Sequence, residues 1–243
     1  MRASTIMRSA AAALLLGALV PACSPDNILK VETPDIIAPG AVATPAGAEA
    51  LRVGAFRQLD IATGGVETVE PSSAFFDSMW LLSGLLADEF RSGDTFIERD
   101  ETDRRSVSES NAQVEGGYRA LQRARVDAAL AELALAKYDP DAPPWKRAQM
   151  LFAQGYAETL LAEYFCSGVP MGDVTLAGPT RSSPSLTTQQ ALERAAAHFD
   201  AAIALVADDD AAESDAVRNA AAVGKGRALL GLARWADAAA AVA

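Results

Sequence analysis

Apolar residues recur at helical spacing along most of the chain. Thr44 is placed to cap a helix with Pro45 at its first position, and Leu51, Ala55 and Leu59 continue one face of it as far as Gly64-Gly65. Phe76, Trp80 and the apolar stretch 81–86 predict a second helix over about 73–87. It is apolar nearly all round, so burial on several sides is expected. Residues 88–106 are charged and only weakly periodic. Leu121, Ala124, Ala128, Ala131 and Leu135 then form the stripe of a long helix over about 109–138. Pro140, Pro143 and Pro144 stop it, because proline lacks the amide hydrogen and clashes with the preceding turn. A further helix is predicted over 145–165, and Gly168, Pro170, Gly172, Gly178, Pro179 and Pro184 mark a long loop after it. Thr187 and Gln190 have capping-box spacing and open a helix running to about 206. Asp208, Asp209 and Asp210 lie in the next connection, and two shorter helices are predicted over 215–231 and 234–242. The pattern as a whole is that of an all-α fold.

The N-terminus departs from it. Arg2 and Arg8 precede an apolar run of eleven residues, 10–20, which is too short to span a bilayer as a finished helix. Val20-Pro21-Ala22-Cys23 follows, with a small residue before the expected cut. This resembles a secretory signal ending in a bacterial lipobox, which implies a lipid on the Cys23 thiol. The alternative is an ordinary signal peptide with a cysteine there by coincidence. The expected organisation is a signal segment 1–22, a lipidated tether 23–43 containing three prolines, and a helical domain 44–243. No other segment is long and apolar enough to cross a membrane.

Composition agrees with helices, since aromatics make up 6% and alanine, the best helix former, is abundant. Without residues 1–22 the chain carries 19 basic and 32 acidic residues, a net −13. That balance argues against nucleic acid, whose binding needs cations to meet phosphate. If Cys23 is lipidated, Cys166 has no partner for an internal disulfide; a small buried hydrophobe is expected there rather than a nucleophile.

Little in the sequence points to chemistry, so no enzyme, metal or cofactor is expected. The single histidine, His198, stands inside an amphipathic helix pattern and is read as a solvated or lightly packed residue. Gly224-Lys225 lacks the first glycine and the closing hydroxyl of a phosphate loop. Asp208 to Asp210 lack the spaced ligands and closing glutamate of a calcium loop. Within 88–106, however, Phe90, Phe96 and Ile97 alternate with Arg91, Arg99, Arg104 and Arg105. Arginine with aromatic residues suits contact with a partner or a sugar face, so Phe90, Phe96, Arg99 and Arg104 are candidate contact residues. A surface loop with a few apolar anchors is the alternative.

The last third carries a repeat signal. Tetratricopeptide units place small residues where two helices cross and large ones between them. Ala195, Phe199 and Ala202 fit the second helix of one unit, while Gly226, Leu229, Trp235, Ala238 and Val242 fit the next, from about residue 145 onward. Gly226 and Ala238 are expected to face each other.

Taken in order, these parts resemble the SusD/RagB family of outer-membrane nutrient-binding lipoproteins. The resemblance is carried by Cys23 with its tail SPDNILKVETPDIIAP, the helices AEALRVGAFRQL and YRALQRARVDAALAEL, and RAQMLFAQGYAETLLAEYFCSGVPM with its Gly-x-Pro turn. TTQQALERAAAHFDAAIAL and AAAVGKGRALLGLARWADAAAAV complete the order. Cys166-Ser167 departs from the pattern, in which a tyrosine often leads into that turn. The resemblance implies a surface-exposed lipoprotein, held in the outer membrane by its lipid, that binds a glycan or other oligomeric nutrient and passes it to a TonB-dependent transporter. Family members are about twice as long, so residues beyond Ala243 are expected. A lipid-anchored tetratricopeptide scaffold for protein–protein contacts in the envelope is the alternative reading.

Overall fold

The computed structural model describes residues 43–65, 77–93, 95–176, 178–181 and 185–243, of 178–181 the backbone only. The expected signal segment, Cys23, the expected tether up to residue 42 and Phe76 lie outside these residues. The described chain forms an all-α fold.

Its helices are α1 (Pro45–Gly64), α2 (Met79–Leu86), α3 (Ile97–Asp103), α4 (Ala112–Tyr138), α5 (Pro144–Tyr164), α6 (Thr188–Leu205), α7 (Ala212–Gly231) and α8 (Trp235–Ala241). The caps explain most boundaries. Thr44 accepts from the Gly47 amide, Ser78 from Leu81 and Asn111 from Val114. Thr187 and Gln190 form the full capping box. Ser78 starts α2 at Met79, later than the apolar pattern suggests. Asn111 likewise moves the start of α4 to Ala112.

Two features go beyond the periodicity. The charged stretch contains α3, which has no side-chain cap. It keeps Glu98 and Asp100 in its first turn, where carboxylates suit the helix dipole, and it buries Thr102. The loop after α5 holds four short strands: β1 (Val169–Pro170) pairs antiparallel with β4 (Ser185–Leu186), and β2 (Asp173–Thr175) with β3 (Gly178–Arg181). Gly168, at φ +109°, makes the sharp entry to β1 and donates its amide to Leu186 O at 2.9 Å.

The helices pack as a chain of neighbours. α1 lies on α4, α4 on α5, α5 on α6, and α7 on both α5 and α6; α8 closes on α7. The core between them is unusually rich in alanine, with Ala124, Ala128, Ala131, Ala153, Ala157, Ala195 and Ala202 all fully buried. Small residues let helix axes approach closely, so the few large side chains decide the spacing. Phe199 on α6 is the main one. A Cβ built at Gly224 on α7 would lie 2.5 Å from its ring, and one at Gly155 on α5 would lie 3.0 Å away. The ring therefore fills a slot bounded by two glycines.

A polar staple joins α1 to the start of α5. Glu49 meets Arg52 at 2.7 Å and Lys146 at 3.0 Å, and the Arg52 guanidinium lies 5.0 Å over the Trp145 ring. The Arg52 hydrogen bond, reinforced by that of Lys146, holds the Glu49 carboxyl at about 2, below its ordinary 4.5.

Two outcomes follow from this packing. Gly224→Leu overpacks the Phe199 slot and should cost about 1–3 kcal/mol, whereas Gly54→Ala, whose Cβ would meet nothing within 4 Å, should stabilise by roughly 0.5–1 kcal/mol through helix propensity. Thermal melts of the two variants, moving in opposite directions from the parent, check both. Glu49 binds its proton less readily when folded, so its contribution is complete above pH 4.5 and is lost as pH falls towards 2. The melting-temperature gap between the parent and Glu49→Gln should therefore be largest near neutral pH and shrink across that window; a gap that does not depend on pH would contradict the assignment.

Candidate functional site

Three neighbouring depressions, together called the groove, lie along α5 and α7 and share Tyr156, Val223 or Arg227 as lining residues; the first reaches α1 and α2 and the last reaches α8. α5 contributes Phe152, Tyr156, Leu160 and Tyr164, spaced four apart and so stacked on one side of the helix. α7 contributes Val223, Arg227 and Leu230 at helical spacing. The first depression lies between Trp80 and Ser83 of α2, Thr63 of α1 and Tyr156 and Tyr164 of α5. The second lies between Phe152, Tyr156 and Val223, and the third between Val223, Leu230, Trp235 and Val242. Arg227 borders all three.

The rings are held in place by their neighbours. Trp80 stands edge-on to Phe90, with centroids 5.1 Å apart, and is exposed on its other side. The rest of α2 is covered on several sides, as its all-round apolar pattern predicts, with Met79, Leu82, Gly84 and Leu85 buried. Phe152 and Tyr156 lie near-parallel at 5.8 Å. Arg227 makes a two-pronged contact to Glu163, at 2.8 and 2.5 Å, and also donates to the Tyr164 hydroxyl at 3.3 Å. The Glu163 contact pushes the Arg227 guanidinium further above its ordinary range. Held through Nε and Nη2 by Glu163, Arg227 is a fixed wall of the groove more than a mobile cation.

The four candidate contact residues of the charged stretch make different contacts. Phe90 packs beside Gly84 and supports Trp80. Arg99 grips the buried Asp77 carboxylate, at 2.7 and 3.0 Å, while its guanidinium lies 4.6 Å over the Phe96 ring. Phe96 is itself exposed. Arg104 reaches Asp100 at 3.4 Å from an exposed position. Arg99 thus ties α3 to the segment before α2, and Phe96 and Arg104 form separate surface positions. Cys166 is exposed, contrary to the expected burial, because α5 ends at Tyr164 and the chain turns outward there.

A second cluster was not legible in the sequence. Glu158 on α5 is 0% exposed, and both its oxygens are engaged, one by Arg194 Nε at 2.8 Å and the other by His198 Nδ1 at 2.7 Å. His198 is therefore a partner of a buried carboxylate, not a lightly packed helix residue. Arg125 on α4 is buried nearby, and burial lowers its affinity for the proton, with Glu158 opposing that shift. These side chains also hold the turn after α5. Gln122 donates to Pro170 O at 2.9 Å, Arg194 to Met171 O at 3.4 Å and Arg125 to Gly172 O at 2.9 Å. The arrangement satisfies buried charge and pins the turn. Among the described residues no group of three or more histidine, cysteine, aspartate or glutamate side chains is placed to hold a metal ion, and no helix is long and apolar enough to cross a membrane.

No family model matches the chain, and neither curated proteins nor solved structures give a match to it.

Replacing Glu158 by glutamine removes the buried carboxylate that Arg194 binds and whose charge also acts on the buried Arg125. Breaking such a buried pair costs on the order of 3 kcal/mol, and the Met171 and Gly172 carbonyls should lose their clamp. Glu158→Gln should lower the melting temperature and speed amide exchange of Gly168, whose amide donates in this turn. Unchanged exchange at Gly168 would show that the turn is held independently.

Proposed function

We propose that the protein is an exported lipoprotein, anchored by a lipid on Cys23 at the outer membrane, that binds an oligosaccharide or similar oligomeric nutrient and delivers it to a TonB-dependent transporter. The likeness in order of parts to SusD/RagB lipoproteins motivates this reading. The observation that carries it is the groove's first depression, where Trp80, Tyr156 and Tyr164 stand around the hydroxyls of Thr63 and Ser83. Flat apolar faces beside a few fixed polar groups suit a ligand with alternating C–H and hydroxyl surfaces. The net charge of −11 gives no support to a polyanionic ligand. No nucleic acid, catalytic step or cofactor belongs to this proposal.

A second reading, a lipid-anchored tetratricopeptide scaffold, has its own support. Two helix crossings repeat one geometry. A Cβ at Gly155 would meet Ala195 O and the Phe199 ring, and one at Gly226 would meet Ala238 O and Val242 Cγ1. In each case the carbonyl and the side chain are four residues apart. That recurrence is what tandem helix pairs produce, and it is compatible with either function.

Membrane fractions and binding assays test the two halves of the proposal. Cys23→Ser should release the protein from the membrane fraction or leave it unprocessed, because stable attachment needs the acyl chains, each buried CH₂ contributing about 0.8 kcal/mol. Processed Cys23→Ser protein that stays in the membrane at parental yield would remove the anchor. On a glycan array, the full chain should retain specific oligosaccharides, and Tyr156→Ala should weaken that retention on the order of tenfold. An array on which parent and variant behave alike would favour the scaffold.

A further inference from the structure

We propose that a cavity between α6, α7 and α8 is a binding site for a small zwitterion of the α-amino-acid class, its ammonium group directed to Asp200 and Asp237 and its carboxylate to Lys225 and Arg234. This is independent of the nutrient-binding proposal, because the cavity uses no residue of the groove. The hollow measures about 290 Å³. It exists because the residues facing it are small: Ala196 of α6 and Ala240 and Ala241 of α8 line it, with Leu229 of α7 beside them. Asp237, Ala240 and Ala241 share one face of α8, turned away from Trp235, Ala239 and Val242.

Four charged side chains line the cavity, two of each sign. Lys225 Nζ meets Asp200 Oδ1 at 2.6 Å, which ties α7 to α6. Arg234 meets Asp237 Oδ2 from Nε at 2.7 Å and from Nη2 at 2.6 Å. Each pair uses only part of its capacity. Asp200 Oδ2, Asp237 Oδ1 and Arg234 Nη1 make no hydrogen bond among the described residues. The four side chains are between 27% and 57% exposed, and ion pairs screened in this way contribute little by themselves. A ligand group can therefore take the place of a partner at small cost, while the pairing holds the side chains at the cavity beforehand.

The charges also select the ligand. The four groups sum to zero, so a simple anion meets two carboxylates and a simple cation meets two basic groups. A molecule with one charge of each sign finds an opposite partner at both ends. Ligand pockets run from about 300 to 1,000 Å³, so this one is of a size for a single small molecule. The alanines and the buried Leu229 give it an apolar floor for a short aliphatic side chain.

Isothermal titration of the full chain with L-leucine is the test. Saturable binding is expected, with Kd about 1 mM or tighter. Two analogues share the leucine skeleton: 4-methylpentanoate lacks the ammonium group and 3-methylbutylamine lacks the carboxylate. Each should bind at least about tenfold more weakly. Asp200→Asn and Arg234→Gln should each weaken leucine binding by a similar factor, about tenfold. Ala240→Phe, at an exposed position, fills the hollow without changing its charge and should abolish binding; it provides the same test should a charge variant fold poorly. The proposal is overturned by the absence of saturable binding up to about 10 mM leucine, or by either analogue binding as well as leucine. Binding left unchanged by Ala240→Phe, or by both charge variants, overturns it as well.

Discussion

The packing depends above all on one aromatic ring between two glycines. An alanine-rich core has little side-chain volume with which to set distances, so helices drift together until something stops them. Phe199 stops three of them at once. It projects from α6, rests on Gly155 of α5 and is closed over by Gly224 of α7. Phe152 touches the same ring at a centroid distance of 6.0 Å, so the aromatic row of the groove is referenced to the same point. A change of one methylene at either glycine is felt along both faces of the array.

The second organising element is electrostatic. Glu158 lies on the far side of α5 from the exposed groove, buried between α4 and α6 with Arg125, Arg194 and His198. A carboxylate in that position is tolerable only because both oxygens are engaged, by Arg194 and His198, while Arg194 also reaches the Met171 carbonyl and Arg125 the Gly172 carbonyl. One network thus neutralises buried charge and fixes the turn that leads from α5 to the strand pairs. α5 is committed on both sides: its apolar row faces the groove and its one buried acid anchors the turn.

The groove changes character along its length. Its first depression is ringed by tryptophan, tyrosine and hydroxyl groups, while its last has a tryptophan but no tyrosine or hydroxyl and is otherwise lined by valine, leucine and small residues. Arg227 stands between, immobilised by Glu163. The end with polar edges is the one on which the nutrient-binding proposal rests.

The sequence by itself determined the all-α class, the span of α1, α4, α5 and α6 within a few residues, and the capping box at Thr187, because caps, prolines and helical periodicity act within one or two turns of chain. It also paired Gly226 with the Ala238–Val242 helix, since a twelve-residue offset between helices joined by a tight turn leaves little freedom. Other properties were decided only by the tertiary structure. His198 looks solvated in its own helix, and Glu158 is one acid among 32; only the crossing of α5 and α6 brings them to 2.7 Å. The Phe152–Tyr164 row was present as four-residue spacing in a helix apolar on most sides, so nothing local told which side would stay open. Phe90 and Arg99 carried the composition of a contact surface but were drawn into packing against Trp80 and Asp77. Burial is a property of which helices meet, and that is set by long-range volume and charge matching that no local window of sequence contains.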